Sequence, residues 1–171
     1  MIPFRLRWVQ WRARFRSAGD VTAEYRLTCH CLPTDLVGTT HMDNGRYHNF
    51  LGLALAELLV RSGISRRAHA AGARPVLATS SIRFRKEIRL WQKFDVTARV
   101  VYWDDRWIYL GYRLFVGIDA AAIAIVKSTF VDKNGRVSPD RLNTIIGHTG
   151  PTPPASELIA AKSALDALLK V

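Results

Sequence analysis

The feature that most constrains the fold is one segment that is apolar on nearly every side. Between residues 50 and 60 only Gly52 and Glu57 are not apolar. This segment lies within a predicted helix that runs from Asn44 to about residue 61 and has Asp43 or a neighbour as its N-cap. A helix that is hydrophobic all round has to be buried on most of its sides. The rest of the chain must therefore supply a surface that surrounds it.

Alternating apolar and polar residues predict that surface. Residues 23–31 alternate with a period of two, and four more runs typical of strands follow at about 76–89, 94–103, 107–117 and 121–131. A sheet of about five strands can bury such a helix only by curling around it, so we expect an α+β domain with a wrapped antiparallel sheet. Its edge strands would stay unpaired in a monomer, and we therefore expect a homodimer or higher homo-oligomer.

The predicted domain spans residues 19–147 and is flanked by two appendages. Residues 1–18 form a predicted basic amphipathic helix, and residues 148–171 contain a Pro-rich connector and a C-terminal helix over about 156–170. Within the domain, a basic loop is expected from about residue 61 to residue 75, and a short helix near 139–146. No internal repeat is visible.

The N-terminal appendage carries five arginines and no acid in its first 16 residues. The arginines interrupt every apolar stretch, so it lacks the apolar core of about 7–15 residues that a secretory signal requires. An aromatic stripe recurs at helical spacing and consists of Phe4, Trp8, Trp11 and Phe15. We expect this stripe to pack on the domain, and contact of residues 1–16 with an anionic membrane surface is the alternative.

The net charge of +11 raises the question of a nucleic-acid partner. Five of the excess charges lie in the N-terminal appendage, and we recognise no nucleic-acid-binding module, so no nucleic-acid partner is expected. The chain has no charge-free apolar run of about 18 residues, the length needed to span a bilayer. Cys29 and Cys31 are poorly placed for a disulfide and do not form a zinc motif, which indicates reduced thiols in a cytoplasmic protein without a metal.

The most informative stretch is LPTDLVGTTHMDNGRY, residues 32–47. An acidic loop residue, Asp35, is followed six positions later by His41, and Asn44 and Tyr47 then open the predicted helix. This pattern resembles the hotdog-fold acyl-CoA thioesterase superfamily, which includes 4-hydroxybenzoyl-CoA thioesterase-like proteins. Residues 102–115, YWDDRWIYLGYRLF, resemble the branch of thioesterase superfamily member 6-like proteins.

The resemblance implies a hotdog fold and hydrolysis of an acyl-CoA thioester, with Asp35, His41 and Asn44 as the catalytic residues. The chemistry is consistent with this, because free amides at a helix N-terminus stabilise the oxyanion formed when a thioester is attacked. A carboxylate or an imidazole is needed to activate water or to attack directly. The structural alternatives are that Asp35 only fixes its loop, that His41 bonds a carbonyl, and that Asp43 is only the helix cap.

One departure from the family pattern bears on activity. Many catalytic relatives carry Asp-x-Asp in the loop, and the second Asp acts as nucleophile or base. Here that position is Val37, which cannot transfer a proton. Either Asp35, His41 or Asp43 has taken over this role, or the chain binds acyl-CoA or acyl carrier protein thioesters without hydrolysing them efficiently. A third hypothesis is a basic adaptor for anionic lipid or nucleic acid.

A second basic segment lies between residues 83 and 93. Arginine side chains match phosphate oxygens well, so Arg83, Arg85 and Arg89 are predicted to hold the nucleotide of coenzyme A. A solvated strand face is the alternative. Coenzyme A would be part of the substrate, and neither a separate cofactor nor a metal is expected.

Overall fold

The computed structural model describes residues 2–38 and 40–168, and its central element is the long buried helix α2 (Asn44–Arg61). Its predicted bounds and its cap are confirmed, since the Asp43 side chain accepts a hydrogen bond from the Gly45 amide at 2.8 Å. The helix buries Phe50 and Leu58 almost completely, and the Phe50 ring meets Phe94 edge to face with centroids 4.9 Å apart. The sheet therefore packs directly against α2.

The sheet is antiparallel and curled, as the α+β prediction required. Its strands lie in the order β1-β5-β6-β7-β4, so the two ends of the path are β1 and β4. The strands are β1 (Tyr25–His30), β4 (Arg74–Phe84), β5 (Lys93–Trp103), β6 (Ile108–Val116) and β7 (Asp119–Asp132), with the short β8 (Gly135–Arg136) paired to β7. A separate small ladder joins β2 (Leu36–Val37) to β3 (His41–Met42) just before α2.

The first strand after the helices is shorter than predicted. The run expected to reach residue 89 ends as a strand at Phe84, because the amides of Arg85 and Lys86 both donate to the Ala121 carbonyl and the ladder stops there. The chain then turns back, and the Ile88 carbonyl accepts from the Met42 amide at 2.8 Å. This turn brings the second basic segment beside β3 and the start of α2.

The expected basic loop over 61–75 is wrong in part, because it contains the short helix α3 (Ile64–Ala70). Ile64 and Ala68 are four residues apart and both are buried, which gives α3 its apolar face. Arg67 points back and donates to the carbonyls of Ile145 and Ile146 at the end of α4 (Pro139–Ile146). The arginines concealed this periodicity in the sequence.

Both appendages contain a helix, but the N-terminal helix ends at Ala13 and not at residue 18, and the expected packing of the aromatic stripe on the domain is wrong. Helix α1 (Ile2–Ala13) packs on α2 through Val9 and Ala13, which are buried, and not through the aromatic stripe, which is exposed. Helix α5 (Glu157–Leu168) agrees with the predicted C-terminal helix, whose expected end at Lys170 lies outside the described residues. In the described ranges no helix is both long enough and apolar enough to cross a membrane.

Candidate active site

A cleft of about 390 Å³ lies where β3 leads into α2 and the chain leaves β4. Tyr47 and Phe84 form an apolar wall, with ring centroids 4.9 Å apart, and burial raises the pKa of the Tyr47 hydroxyl. The remaining lining is polar or charged except for one methionine, and comprises His41, Met42, Asn44, Arg85, Lys86 and Glu87. Two of the three predicted catalytic residues, His41 and Asn44, therefore share one cleft.

His41 is held on β3 with its ring partly open to solvent. Its Nδ1 lies 2.9 Å from the Thr40 hydroxyl and 3.8 Å from a carboxylate oxygen of Glu87. The carboxylate is near the imidazole but outside hydrogen-bond distance, whereas the hydroxyl is within it. The ring thus bonds a hydroxyl at the cleft and not the carbonyl that the structural alternative required.

Glu87 was not identified as a site residue from the sequence. A signal was present, because it is the only acid between residues 83 and 93, among five basic side chains. Its proximity to His41 arises from the turn that follows β4, which pairs His41 with Arg89 in an isolated antiparallel bridge. Sequence spacing alone gave no reason to expect that contact.

Asn44 places the beginning of α2 at the cleft. The Asp43 carbonyl accepts from the Arg46 amide at 2.9 Å, in addition to the side-chain cap on Gly45, so Asp43 serves as the helix cap. The positive end of the α2 dipole therefore lies at the Asn44 side of the cleft. This is the electrostatic environment that a developing oxyanion requires.

Asp35 occupies a different environment from His41 and Asn44. Both of its carboxylate oxygens accept from the Arg5 guanidinium at 2.9 Å, one also accepts from the Leu32 amide at 3.0 Å, and the side chain is 7% exposed. Its carbonyl accepts from the Asp43 amide at 2.9 Å. Asp35 does not line the cleft. Its contacts join α1 to the loop that carries His41, as the loop-fixing alternative anticipated.

The three arginines predicted to bind coenzyme A lie at different distances from the cleft. Arg85 lines the cleft, and Arg89 is bridged to His41 through the backbone while its side chain lies 3.2 Å from Glu87. Arg83 is exposed on β4 outside the cleft lining. Lys86 also lines the cleft and pairs with Asp119 at 2.8 Å. Positive charge is therefore concentrated at the mouth of the cleft.

Other ionisable groups near α2 are poorly suited to the chemistry. Burial raises the pKa of Cys29 to about 12 and that of Cys31 to about 11, so neither forms the reactive thiolate near neutral pH. Glu57 is fully buried on α2, where one oxygen pairs with Arg16 at 2.7 Å and with Arg61 at 3.3 Å. Among the residues that the structure describes, no cluster of three or more His, Cys, Asp or Glu is arranged to hold a metal.

Comparison with known proteins decides the family. The family model described as the thioesterase-like superfamily matches residues 31–162. The chain belongs to the thioesterase-like superfamily. The match begins just before the loop of Asp35 and includes the whole cleft, so the resemblance inferred from residues 32–47 is confirmed.

The chain is also similar to individual proteins in sequence or in fold. Protein THEM6 of Xenopus laevis is 32% identical over 109 residues, which is 64% of this chain and 53% of that protein. YbaW, a probable thioesterase from Escherichia coli, gives a TM-score of 0.64 at 17% identity and covers 71% of this chain and 98% of its own. Slr0204, a 1,4-dihydroxy-2-naphthoyl-CoA thioesterase from Synechocystis, gives 0.61 at 13% identity and covers 75% of this chain and 100% of its own.

These likenesses confirm the hotdog fold that the sequence resemblance implied. The chain spans a little more than half the length of four curated relatives, from 53% to 59%, and 23% of the length of a fifth, a probable thioesterase of Saccharomyces cerevisiae. At 13–17% identity the structural neighbours support the architecture alone.

The Arg5–Asp35 pair predicts a measurable link between α1 and the loop that leads to His41. In a double-mutant cycle with Arg5→Ala and Asp35→Asn, we expect a coupling of about 1–2 kcal/mol in the free energy of unfolding, because the carboxylate is buried and bonded at both oxygens. Urea denaturation followed by circular dichroism measures it. The Lys86–Asp119 pair is the matched control, since it is equally short but exposed and should show coupling near zero. Equal coupling in the two pairs would contradict this role for Asp35.

Proposed function

We propose that this protein hydrolyses an acyl-CoA thioester in the cleft at the start of α2. The observation that carries the proposal is the shared cleft of His41, Glu87 and Asn44, in which a proton acceptor with its own carboxylate lies beside a helix N-terminus. Membership of the thioesterase-like superfamily gives the reaction class. Slr0204, which has a similar fold, is a CoA thioesterase, and this supports the same kind of substrate for this chain.

In the proposed reaction the thioester carbonyl oxygen approaches the Asn44 amide. His41 takes a proton from a water molecule, whose oxygen forms a bond to the carbonyl carbon while negative charge develops on the carbonyl oxygen. The helix dipole stabilises that oxyanion, and Glu87 stabilises the imidazolium. The carbon–sulfur bond then breaks, and His41 returns the proton to the departing sulfur. The products are a carboxylic acid and coenzyme A.

Asp35 is assigned a positioning role in this proposal. It fastens the loop to α1 and, through its carbonyl, to Asp43, and so sets the position of the β2–β3 ladder that carries His41. Both of its carboxylate oxygens are held by Arg5, and the side chain does not line the cleft, so it does not reach a water molecule bound there. His41 is therefore the better general base.

The alternative function is binding of a thioester without efficient hydrolysis. Val37 pairs directly with His41 across the β2–β3 ladder and is half-exposed. The position where many catalytic relatives carry a carboxylate is thus adjacent to His41 and holds an apolar side chain. The two functions differ in whether the His41–Glu87 pair is sufficient without that carboxylate.

Thiol release from acyl-CoA esters of varied chain length and from aryl-CoA esters distinguishes these functions. For the hydrolase we expect turnover in the unmodified protein and a fall in kcat of about 10²–10⁴ in His41→Ala, because the general base is lost. Glu87→Gln should give a smaller fall, since the imidazole remains. The matched control is His69→Ala on α3, remote from the cleft, which should leave kcat unchanged.

The same assay names the results that would contradict hydrolysis. Turnover that appears only in Val37→Asp would identify the unmodified protein as a binder. Turnover that is unaffected by His41→Ala would place the general base elsewhere.

The position of coenzyme A is proposed from the basic residues at the cleft mouth. Arg85 and Arg89 are closest to His41, and Arg83 lies farther out on β4 as a third contact. Their guanidinium groups would bind the phosphates while the acyl group enters beside the Tyr47 ring. These basic residues differ in position from those of the N-terminal helix, because they lie beside His41 and Glu87.

Charge-reversal variants test this proposed coenzyme A site. We expect Arg85→Glu and Arg89→Glu each to weaken coenzyme A binding by about tenfold or more, since each loses a charge-assisted hydrogen bond and adds repulsion, and Arg83→Glu to have a smaller effect. Isothermal titration calorimetry measures the dissociation constant. Arg106→Glu, on the exposed β5–β6 turn, is the control of equal charge change. Equal weakening in all four variants would indicate a long-range effect of net charge instead of a site.

A homodimer formed along β4 is the assembly that we propose. β4 is 11 residues long and ends the sheet path, where it pairs with β7 on one side. Most of its residues are exposed or only partly buried, including Leu77 at 57% exposure. An uncovered edge of this length favours pairing with a second copy, which would extend the sheet across the dimer.

A proline on the outward side of β4 tests the dimer. The Arg85 amide donates to β7, so alternation along the strand points the Ile82 amide toward the free edge. Ile82→Pro should therefore preserve the β7 ladder and convert a dimer to a monomer in light scattering after size exclusion, whereas Ile82→Ala should remain dimeric. A monomeric unmodified protein, or a dimer that survives Ile82→Pro with native circular dichroism, would contradict pairing along β4.

A further inference from the structure

Helix α1 has two apolar faces, and the domain covers only one of them. The inner face buries Val9 and Ala13 against the core, with Leu6 packed beside them. At about 100° per residue these positions lie on the side of the helix opposite to the aromatic stripe. The packing that holds α1 in place therefore leaves the stripe outside.

The stripe is continuous and strongly exposed. Phe4 and Phe15 are 76% and 74% exposed, and Trp8 and Trp11 are each 52% exposed. The Trp8 and Trp11 rings are stacked with centroids 5.2 Å apart, and Phe15 meets Trp11 edge to face at 5.1 Å. Large aromatic rings grouped on one exposed face are unusual on a protein surface that contacts only water.

Arginines border this stripe, and several have no internal role. Arg5 and Arg16 pair with buried acids of the domain, Asp35 and Glu57. Arg7 and Arg14 are exposed, and within the described part of the chain neither they nor Arg12 form an ion pair. The stripe is therefore flanked by positive charge that is available to an anionic partner.

We propose that the outer face of α1 binds the surface of an anionic phospholipid membrane. Tryptophan and phenylalanine enter the region between headgroups and acyl chains, and arginines beside them bind lipid phosphates. A second copy of this chain fits the face poorly, because the two stripes would bring like-charged arginines together. The proposal is independent of the thioesterase activity, because the stripe lies outside the cleft lining.

The ion pairs of the inner face prepare α1 for this role. Many interfacial helices fold only when they reach the membrane and lose binding free energy to ordering. Here Arg5–Asp35 fastens α1 to the domain and Arg16–Glu57 fastens the turn just after it, so the stripe is already ordered. The whole domain would then be held at the membrane surface as one unit.

Co-sedimentation of the full chain with vesicles tests the proposal. We expect binding to phosphatidylcholine vesicles that contain about 30–40% phosphatidylglycerol, which gives them a strongly negative surface. Binding to pure phosphatidylcholine should be small, and binding to the anionic vesicles should weaken as the salt concentration is raised. Trp8→Ser/Trp11→Ser and Arg7→Glu/Arg14→Glu should each lower the partition coefficient by about tenfold or more.

The controls match each change in chemistry but lie elsewhere. Trp91→Ser removes another exposed tryptophan, and Arg106→Glu/Lys133→Glu makes the same change in net charge at two exposed turns of the sheet. Both should bind as the unmodified protein does. Equal losses in the control variants, or equal binding to neutral vesicles, would overturn the proposal. Failure of the unmodified protein to bind the anionic vesicles would also overturn it. If a stripe variant then changed the oligomeric state in light scattering, the stripe would be a contact between two copies of this chain.

Discussion

Burial of α2 is the constraint on which the rest of the structure depends. Eleven consecutive positions with only two that are not apolar cannot face water, so the sheet has to curl until it covers the helix. Once the sheet does so, the N-terminus of α2 comes to one end of the domain, where the chain enters from β3. The candidate site lies there, where the free backbone amides and the positive dipole end of α2 are available.

The cleft is assembled from three separate parts of the chain. β3 contributes His41, α2 contributes its first turn, and the turn after β4 contributes Arg85, Lys86 and Glu87. The ladder between β4 and β7 ends when two successive amides bond to Ala121, and this irregularity directs the turn toward His41. A local feature of the sheet thus determines which charges meet the imidazole.

Helix α1 links two properties that the sequence presented as separate. Its arginines looked like one continuous basic surface, yet Arg5 and Arg16 are used internally as partners of Asp35 and Glu57. The same helix that anchors the loop of Asp35 also presents the aromatic stripe outward. A partner that binds the outer face would therefore bind a helix that contacts the Asp35 loop directly.

Much of the fold could be predicted from local patterns. The bounds of α2, its Asp43 cap and the positions of most strands follow from periodicity and capping chemistry, which depend on neighbouring residues. α3 was missed because arginines lie between Ile64 and Ala68 and hide the apolar spacing. The burial of Ile64 and Ala68 depends on contact with α4, which is distant in sequence: Arg67 and Ile145, which are bonded there, are 78 residues apart. The family followed from the spacing of Asp35, His41 and Asn44, since those residues lie within one short segment.

What the sequence by itself determined is therefore the buried helix, the wrapped sheet and the segment that resembles the family, because each is encoded by residues close together in the chain. Only the tertiary structure decided that Asp35 is bound by Arg5, that Glu87 lies beside His41, and that the aromatic stripe faces outward. The first two are contacts between residues 30 and 46 positions apart in the chain. The third depends on which of two apolar faces of α1 the core covers. Periodicity shows that a face is apolar, and packing selects the face that is buried.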